Sequence, residues 1–220
     1  MKDIIEKYFP SIDTLQRERF NKLGDLYADW NEKINLISRK DIANVYVNHI
    51  LHSLAIAKFL DPVDGTSFID VGTGGGFPGI PLAILYPECR FHLIDRIKKK
   101  IAVVDSLVET LGLKNVTTQA GDLGECHTKF DFAVSRAVMA LPELVKIVRK
   151  NITTKPSGNR LANGLITLKG GDLEQELSGL GMPYLVEPVD VWFHELFFEN
   201  KVIVYVPFLV KGKVMGGGCR

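Results

Sequence analysis

The residues best suited to specific chemistry lie in one glycine-rich stretch. Residues 70–81 read Asp-Val-Gly-Thr-Gly-Gly-Gly-Phe-Pro-Gly-Ile-Pro and follow a short apolar run. Glycine is required where the backbone takes a positive φ or where a ligand must approach it closely. In open α/β sheets such a turn follows the first strand, at the edge of the sheet where small cofactors bind. The stretch therefore predicts a cofactor site.

Two cofactor classes fit the spacing of these glycines. Gly74, Gly76 and Gly79 match the dinucleotide fingerprint, with Asp95 at the expected place of its ribose-binding acid. Read from Asp70, the same turn matches the pattern of S-adenosylmethionine (SAM) methyltransferases. A glycine turn that binds no ligand is the third alternative.

The neighbouring residues favour SAM. A pyrophosphate needs backbone N–H donors at the start of a helix, and Pro78 and Pro81 remove two of them. SAM has no phosphate, and the ammonium group of its methionine part suits Asp70, directly or through water. Asp95 suits the two ribose hydroxyls. We therefore predict SAM contacts at both acids and along the turn, at Gly72, Thr73, Gly74 and Gly76.

Polar residues also end the later predicted strands. Asp95 ends the second strand, and Gly121–Asp122, Ser135–Arg136 and Lys169–Gly170 follow the third, fourth and fifth. Taken singly, these are explained as a helix cap, a turn residue, a surface ion pair and a solvated strand end. Because the carboxyl ends of parallel strands meet at one edge of a sheet, their common position favours one site.

The elements that must position these residues alternate along the chain. Apolar spacing predicts N-terminal helices from Asp13 to Ile34 and from Asp41 to Leu60, before a turn-rich boundary at residues 61–65. The last two strands leave no room for a helix between them and should pair antiparallel. The predicted strands cover 67–71, 90–95, 115–119, 130–135, 164–169, 184–193 and 201–206, and the later helices cover 80–85, 98–111, 141–150 and 173–177.

This alternation predicts an α/β fold with a doubly wound, Rossmann-like sheet of the class I SAM-methyltransferase type. The sheet should be mostly parallel with a terminal antiparallel strand. We divide the chain into an N-terminal helical cap at 1–62, a SAM-binding methyltransferase domain at 63–212 and a flexible, glycine-rich tail at 213–220.

Composition argues against several other classes of protein. The 220 residues are 46% hydrophobic with a net charge of +1, which indicates a soluble, globular chain. No apolar run reaches the roughly 18 residues of a membrane-spanning helix, and the first residues lack the apolar core expected of a signal peptide. A cytoplasmic location is expected. The three cysteines are scattered, and His49 and His52 have no partner at ligand spacing, so we predict no metal site.

Longer motifs add to the glycine pattern. Gly-Phe-Pro-Gly-Ile-Pro-Leu-Ala occupies residues 76–83, and the triplet Ser-Arg-Ala occupies 135–137. Further matching residues are Trp30–Asn31, Asn35–Leu36, His49–Ser53, Leu93–Asp95, Lys99–Lys100 and Leu168–Gly170. Over most of its length the chain resembles the RsmG (GidB) family of bacterial ribosomal-RNA methyltransferases.

The resemblance implies methyl transfer from SAM to N7 of one guanosine in 16S rRNA, in a loop of the decoding region. Family members commonly have an arginine where this chain has Asp122. An acid there meets the adenine amino group in other SAM enzymes, and we keep Asp122 as an adenine contact. The SAM contacts implied by the resemblance are Gly72, Phe77, Asp95, Leu123, Gly124 and Arg136.

Guanine N7 has a lone pair and no proton, so the reaction needs alignment of N7, methyl and sulfur and no general base. We predict Arg136 and Lys169 as the catalytic residues. Arg136 would donate to guanine O6 or to a nearby phosphate. In the competing interpretation, Arg136 binds the carboxylate of SAM.

Basic residues are predicted to hold RNA. Lys98, Lys99, Lys100 and the acid-free run 146–169, which includes Lys169, suit backbone phosphates. Because N7 lies on the major-groove edge, the target base must be in a loop or turned outward. The near-neutral net charge indicates that tight binding depends on the assembled small ribosomal subunit or its precursor. We also expect the protein to be a monomer. We expect the N-terminal cap to act as a lid that contacts RNA through Asn35, His49 and Ser53. The alternative is a cap that only covers the sheet.

Two rival functions remain open at this point. One is a NAD-dependent oxidoreductase that uses the dinucleotide fingerprint, and the other is a nucleotide-binding regulator without catalysis.

Overall fold

A seven-stranded sheet forms the centre of the protein, as seen in a computed structural model that describes residues 3–38, 41–136 and 138–208. The spatial order of the strands is β3-β2-β1-β4-β5-β7-β6. β1 to β5 are parallel, β7 is antiparallel to β5, and β6 is antiparallel to β7. The strands are β1 Ser67–Val71, β2 Arg90–Asp95, β3 Val116–Ala120, β4 Phe132–Arg136, β5 Gly164–Gly170, β6 Leu185–Pro188 and β7 Lys201–Pro207.

The mostly parallel sheet with a terminal antiparallel strand was predicted from the sequence and is confirmed. The tail 213–220 and residues 209–212 of the predicted methyltransferase domain lie outside the described residues, as does Ala137. No helix in the described ranges is long and apolar enough to cross a membrane.

Seven α-helices are found in the described residues. The predicted helix beginning after Asp13 is confirmed, and Asp13 and Gln16 form a reciprocal capping box at its start. The predicted helix 98–111 is confirmed with the same bounds. It is capped at its C-terminus by Gly112, which has a φ of 61°. The helices are α1 Ile4–Tyr8, α2 Thr14–Lys33, α3 His52–Leu60, α4 Gly79–Leu85, α5 Lys98–Leu111, α6 Leu141–Val148 and α7 Glu174–Ser178.

Two elements differ from the predictions. The expected single helix 41–60 is a 3₁₀ turn at Ile42–Asn44, a π-helical segment at Tyr46–Leu51 and then α3. Apolar spacing does not distinguish these turns because their periods are too similar over so few residues. The expected strand 184–193 is wrong in length, since β6 ends at Pro188, which has no N–H to extend the ladder.

The N-terminal helices share a hydrophobic core with one face of the sheet. Phe20, Leu23 and Tyr27 of α2 are buried in the same cluster as Phe68 of β1 and Phe132 of β4. This packing lays the N-terminal helices against the carboxyl edge of β1, where the glycine turn begins. The division into a cap at 1–62 and a second domain from residue 63 stays a prediction.

Candidate active site

A cleft of about 500 Å³ opens at the carboxyl ends of β1, β2 and β4. The glycine turn, the end of β2 and the end of β4 meet here, as the alternation of strands and helices requires. Of the predicted site residues, those lining the cleft are Gly72, Thr73, Gly74, Phe77, Asp95, Lys100, Leu123 and Arg136. Leu36, Gly75, Arg96, Ile97, Gly121, Val138 and Met139 line it as well and were not predicted as contacts.

The glycine turn has a backbone that other residues would strain. Gly72 and Gly74 have φ values of 68° and 58°, in the left-handed region. A Cβ atom on Gly72 would also lie 2.7 Å from Cγ2 of Val138. The turn therefore exposes backbone to the cleft at two positions where a side chain would be strained, and at Gly72 it would also collide with Val138.

Asp95 holds the cleft side of this turn in place. Its Oδ2 accepts from the Gly74 N–H at 2.9 Å, and its Oδ1 accepts from the Ile97 N–H at 2.8 Å. Each carboxylate oxygen can accept more than one hydrogen bond, so the acid keeps acceptor capacity toward the cleft. Asp95 thus connects the turn, the end of β2 and the start of α5 at the position predicted to bind ribose.

Asp70 lies beneath the turn, fully buried and outside the lining of the cleft. Its Oδ2 accepts from the Thr73 hydroxyl at 2.6 Å and from the Gly79 N–H at 2.8 Å, while its Oδ1 has no partner within the described ranges. Burial raises the pKa of Asp70 to about 7, against the lowering effect of these two bonds. The structure thus gives Asp70 a role in shaping the turn, and the contact with an ammonium group stays a prediction.

The raised pKa of Asp70 predicts a pH dependence of stability. The folded state binds this proton more tightly than the unfolded state, in which the pKa is near 3.8. The free energy of unfolding should therefore lose a contribution as the pH rises from about 4 to about 7. Urea denaturation of Asp70→Asn and the wild type across this range should show the variant gaining stability relative to the wild type. A difference that is constant with pH would contradict this assignment.

An aromatic stack covers the outer side of the turn. The rings of Tyr27 and Phe77 are stacked with centroids 4.6 Å apart, and the Arg136 guanidinium carbon lies 4.8 Å from the Phe77 centroid. The buried Tyr27 hydroxyl donates to the Gly75 carbonyl at 2.8 Å. Sequence reasoning placed Tyr27 on the apolar face of a helix and missed this bond, which no local signal reveals.

Tyr27→Phe is expected to loosen the turn without unfolding the protein. Loss of one buried hydrogen bond should weaken cofactor binding about fivefold and lower stability by about 1 kcal/mol. Isothermal titration calorimetry with SAM and thermal unfolding measure the two effects. Tyr205→Phe is the matched control, because its hydroxyl donates to the Ala162 carbonyl away from the cleft. Equal SAM affinities for both variants would argue against a role of Tyr27 in the turn.

Arg136 is a partly buried cation whose hydrogen bonds go to neutral groups. Its Nη2 donates to Nδ1 of His49 at 3.0 Å and its Nη1 donates to the Asn48 carbonyl at 3.4 Å. In the described parts of the chain, no carboxylate lies within 4.0 Å of it. Burial lowers the pKa of Arg136 to about 10, although Tyr27, Asp70 and Asp41 act to raise it. Even partial burial of a charge in this position is costly unless a bound anion compensates it.

A second cleft, of about 620 Å³, lies on the other side of Arg136. It extends toward β5 and the start of β7, and Arg136 lines both clefts. The lining of this second cleft consists of Asp41, Asn48, His49, His52, Arg136, Leu168, Lys169, Gly170, Asp172, Leu173, Glu176, Phe197 and Lys201. Two clefts that meet at one cation suit a reaction between two bound molecules.

Lys169 lies in the second cleft and already has partners. Its Nζ donates to Oε2 of Glu176 at 2.8 Å and to the Met139 carbonyl at 2.9 Å. Glu176 also accepts from the Leu141 N–H at 3.0 Å, and its ion pair with Lys169 lowers its pKa. Lys169 thus fixes the loop around Met139, which lines the first cleft, and its predicted catalytic role stays a prediction.

Asp122, Gly124 and Ser53 are predicted site residues that lie outside both linings. Asp122 forms an ion pair with Arg96 at 2.6 Å and accepts from the Gly124 N–H at 2.7 Å. The Gly124 bond and Arg96 lower the pKa of Asp122. Ser53 is fully buried and donates to the His49 carbonyl at 2.7 Å. Asp122 therefore orders the loop before Leu123, and Ser53 lies in the core.

The remaining predicted RNA contacts are at the surface. Asn35 is exposed beside the loop at Leu36, whose N–H donates to Oδ1 of Asn31. Lys98 and Lys99 are exposed at the start of α5, and Lys100 is partly buried against the first cleft. Gly76, which was predicted to contact SAM and not RNA, is buried under the turn, where a Cβ would lie 2.6 Å from Cγ1 of Ile80. The binding roles predicted for these residues stay predictions.

Comparison with known proteins places this site in a family. The GidB family model, described as rRNA small subunit methyltransferase G, matches residues 16–197. The ribosomal RNA small subunit methyltransferase G of Bacteroides thetaiotaomicron is 52% identical over 203 residues, covering 92% of this chain and 98% of that protein. That of Porphyromonas gingivalis is 52% identical over 208 residues, covering 93% of each chain.

Solved structures with the same fold are much more distant in sequence. A SAM-dependent methyltransferase from Aquifex aeolicus is 18% identical with a TM-score of 0.53, covering 74% of this chain and 92% of that one. A precorrin-6y methyltransferase from Geobacter metallireducens is 15% identical with a TM-score of 0.51, covering 80% and 92%. These two show the fold alone. The family resemblance inferred from the motifs is confirmed by the closer relatives: the chain belongs to the GidB family of rRNA small subunit methyltransferases G.

Proposed function

We propose that this protein transfers a methyl group from SAM to N7 of one guanosine in the decoding region of 16S rRNA. The observation that supports this most directly is the meeting of two clefts at Arg136. One cleft has the glycine turn and ribose-binding acid expected for a cofactor. The other has the polar residues expected for a substrate base.

The first cleft fits SAM better than a dinucleotide. The start of α4 offers no free N–H for a pyrophosphate, because Gly79 donates to Asp70 and Ile80 donates to the Gly76 carbonyl. Pro78 and Pro81 have no N–H. The turn, Asp95 and Leu123 would hold the nucleoside part, and the cleft volume of about 500 Å³ is in the range of small-molecule sites. The NAD-dependent oxidoreductase is not supported.

The reaction mainly requires that guanine and SAM are aligned and that the charge of Arg136 is compensated. When bound, SAM supplies a methyl group made electrophilic by its sulfonium. The residues of the chain then have to hold the guanine with N7 free, exclude water and fix the orientation of both molecules. Arg136 would bind an anionic group, either the carboxylate of SAM or a phosphate of the target nucleotide. A partly buried cation with no carboxylate partner among the described residues favours these anions over the neutral O6 predicted from the sequence.

Basic surface around the clefts supports RNA as the substrate. Lys98 and Lys99 are exposed at the start of α5, and Lys146, Arg149 and Lys150 are exposed at the end of α6. Such groups would contact phosphates through salt-dependent interactions. Because these basic clusters are small, we propose that the protein acts on the assembled small subunit or its precursor. We also propose that it acts as a monomer and in the cytoplasm.

Methylation of small-subunit particles from a strain without this activity tests the proposal. With purified protein and labelled SAM, one guanosine of 16S rRNA should become methylated, and borohydride–aniline cleavage should locate it at N7. Absence of transfer both to particles and to naked 16S rRNA would overturn the enzyme assignment and favour a regulator. Transfer only to short naked RNA would overturn the proposed dependence on the particle.

A further inference from the structure

Two histidines that line the second cleft have a buried imidazole nitrogen without a hydrogen-bond partner among the described residues. Nε2 of His49 and Nε2 of His52 are both buried and have no partner among the described residues. His52 is only 5% exposed, and both residues line this cleft. Buried polar atoms are nearly always paired in folded proteins, so an unpaired one in a cleft indicates a ligand or a water.

The contact with Arg136 determines which nitrogen of His49 has the proton. A guanidinium group only donates, and its Nη2 lies 3.0 Å from Nδ1 of His49. Nδ1 must therefore be the acceptor, which leaves the proton of the neutral ring on Nε2. Burial and the Arg136 charge lower the pKa of His49 to about 4, against the opposite effect of Asp41, so the ring is neutral near pH 7. His49 thus presents an unused N–H donor.

Guanine has the complementary groups for this cleft. Its O6 accepts hydrogen bonds beside N7, and its N1–H and N2 amino group donate from the opposite edge. The cleft contains a donor at His49 and three carboxylates at Asp41, Asp172 and Glu176 that can accept. Adenine has an amino group in place of O6, so it would bring a donor against the His49 donor.

We propose that the second cleft receives the target guanine and that the Nε2–H of His49 donates to guanine O6, which makes His49 a residue that selects guanine over adenine. The inference rests on the methyl transfer proposed above and adds the base-reading group. The bond leaves N7 free for the methyl group. It also connects base recognition to Arg136, because the same imidazole accepts from the guanidinium.

Nitrogen NMR tests the tautomer independently of catalysis. In the wild-type protein labelled with ¹⁵N-histidine, the His49 signals, assigned by comparison with His49→Gln, should show a protonated Nε2 and a bare Nδ1 at pH 7. They should remain those of a neutral ring down to pH 5. A protonated Nδ1 or an imidazolium at pH 7 would overturn the proposal, whatever the activity of the enzyme.

A substrate analogue tests the bond to O6. Particles are reconstituted with guanosine or 2-aminopurine riboside at the mapped target, because 2-aminopurine keeps N7 and the amino group but has neither O6 nor N1–H. The wild type should prefer guanosine by at least about tenfold in kcat/KM, and the part of this preference that depends on His49 measures the bond to O6. His49→Phe should lose about tenfold on guanosine and change little on 2-aminopurine.

Two further variants separate base reading from other effects. His49→Gln can accept from Arg136 and still donate into the cleft, so it should recover most of the preference for guanosine. His92→Gln should keep the wild-type preference. The His92 ring contacts Thr117 and Gln119 and lies outside both linings. Equal losses on both substrates in His49→Phe would mean that His49 only positions Arg136. A wild type that methylates neither substrate would instead refute the proposed function itself.

Discussion

Arg136→Met should lower kcat/KM for methylation of particles by about 100-fold or more, since charge-assisted contacts to bound anions are among the strongest available. The protein should remain folded, with an unchanged or higher Tm. The reason is that a partly buried charge with no carboxylate partner in the described parts of the chain costs stability, and its removal relieves that cost. Steady-state kinetics and thermal unfolding measure the two effects.

Arg136→Lys identifies the anion that Arg136 binds. Lysine keeps the charge but not the planar fork that pairs with two oxygens at once. Calorimetry that finds unchanged SAM affinity, together with lost turnover, would place the anion on the RNA. Weaker SAM binding would place it on the carboxylate of the cofactor.

Arg160→Met is the matched control for the Arg136 variants. Arg160 also contacts an aromatic ring, at 6.0 Å from Phe59, and donates to the Leu60 carbonyl, but it lies outside both linings. Its replacement should leave kcat/KM within about twofold, as expected for a residue away from the site. An Arg136→Met enzyme as active as this control would contradict the assignment of Arg136 to the site.

Asp95→Ala should raise the dissociation constant of SAM by about 100-fold, because two bonds to an ionised acceptor would be lost from the ribose. The same change frees the Gly74 N–H and the Ile97 N–H, so the turn should also lose order. Calorimetry gives the affinity. Amide hydrogen exchange across residues 72–76 should become faster in the variant.

Asp131→Ala separates loss of a ligand contact from loss of a structural carboxylate. Asp131 accepts from the backbone N–H and the hydroxyl of Ser67, at the opposite end of β1 from the cleft. This variant should lose stability while binding SAM as the wild type does. If Asp95→Ala binds SAM with wild-type affinity, or if both variants weaken binding equally, the ribose contact is wrong.

The strands and most helix ends were predictable from sequence because their signals are local. Apolar runs predicted β1 and β2 with their observed bounds, and the capping residues at Asp13 and Gly112 predicted the ends of two helices. The alternation of strands and helices then placed the glycine turn, Asp95 and Arg136 at one edge, since parallel strands must end together.

The tertiary structure alone decided what each polar group does there. Asp70 and Ser53 read as ligand contacts in sequence, but packing of helices over the turn buries both. Tyr27 reaches the turn across 48 residues, and Arg136 meets His49 across 87 residues, so neither contact leaves a local signal. Lys169 is paired with Glu176 because α7 folds back over the end of β5. The sequence determined which residues share the edge of the sheet. Long-range contacts determined which of them face a cleft, which hold the turn, and which nitrogen of His49 can donate.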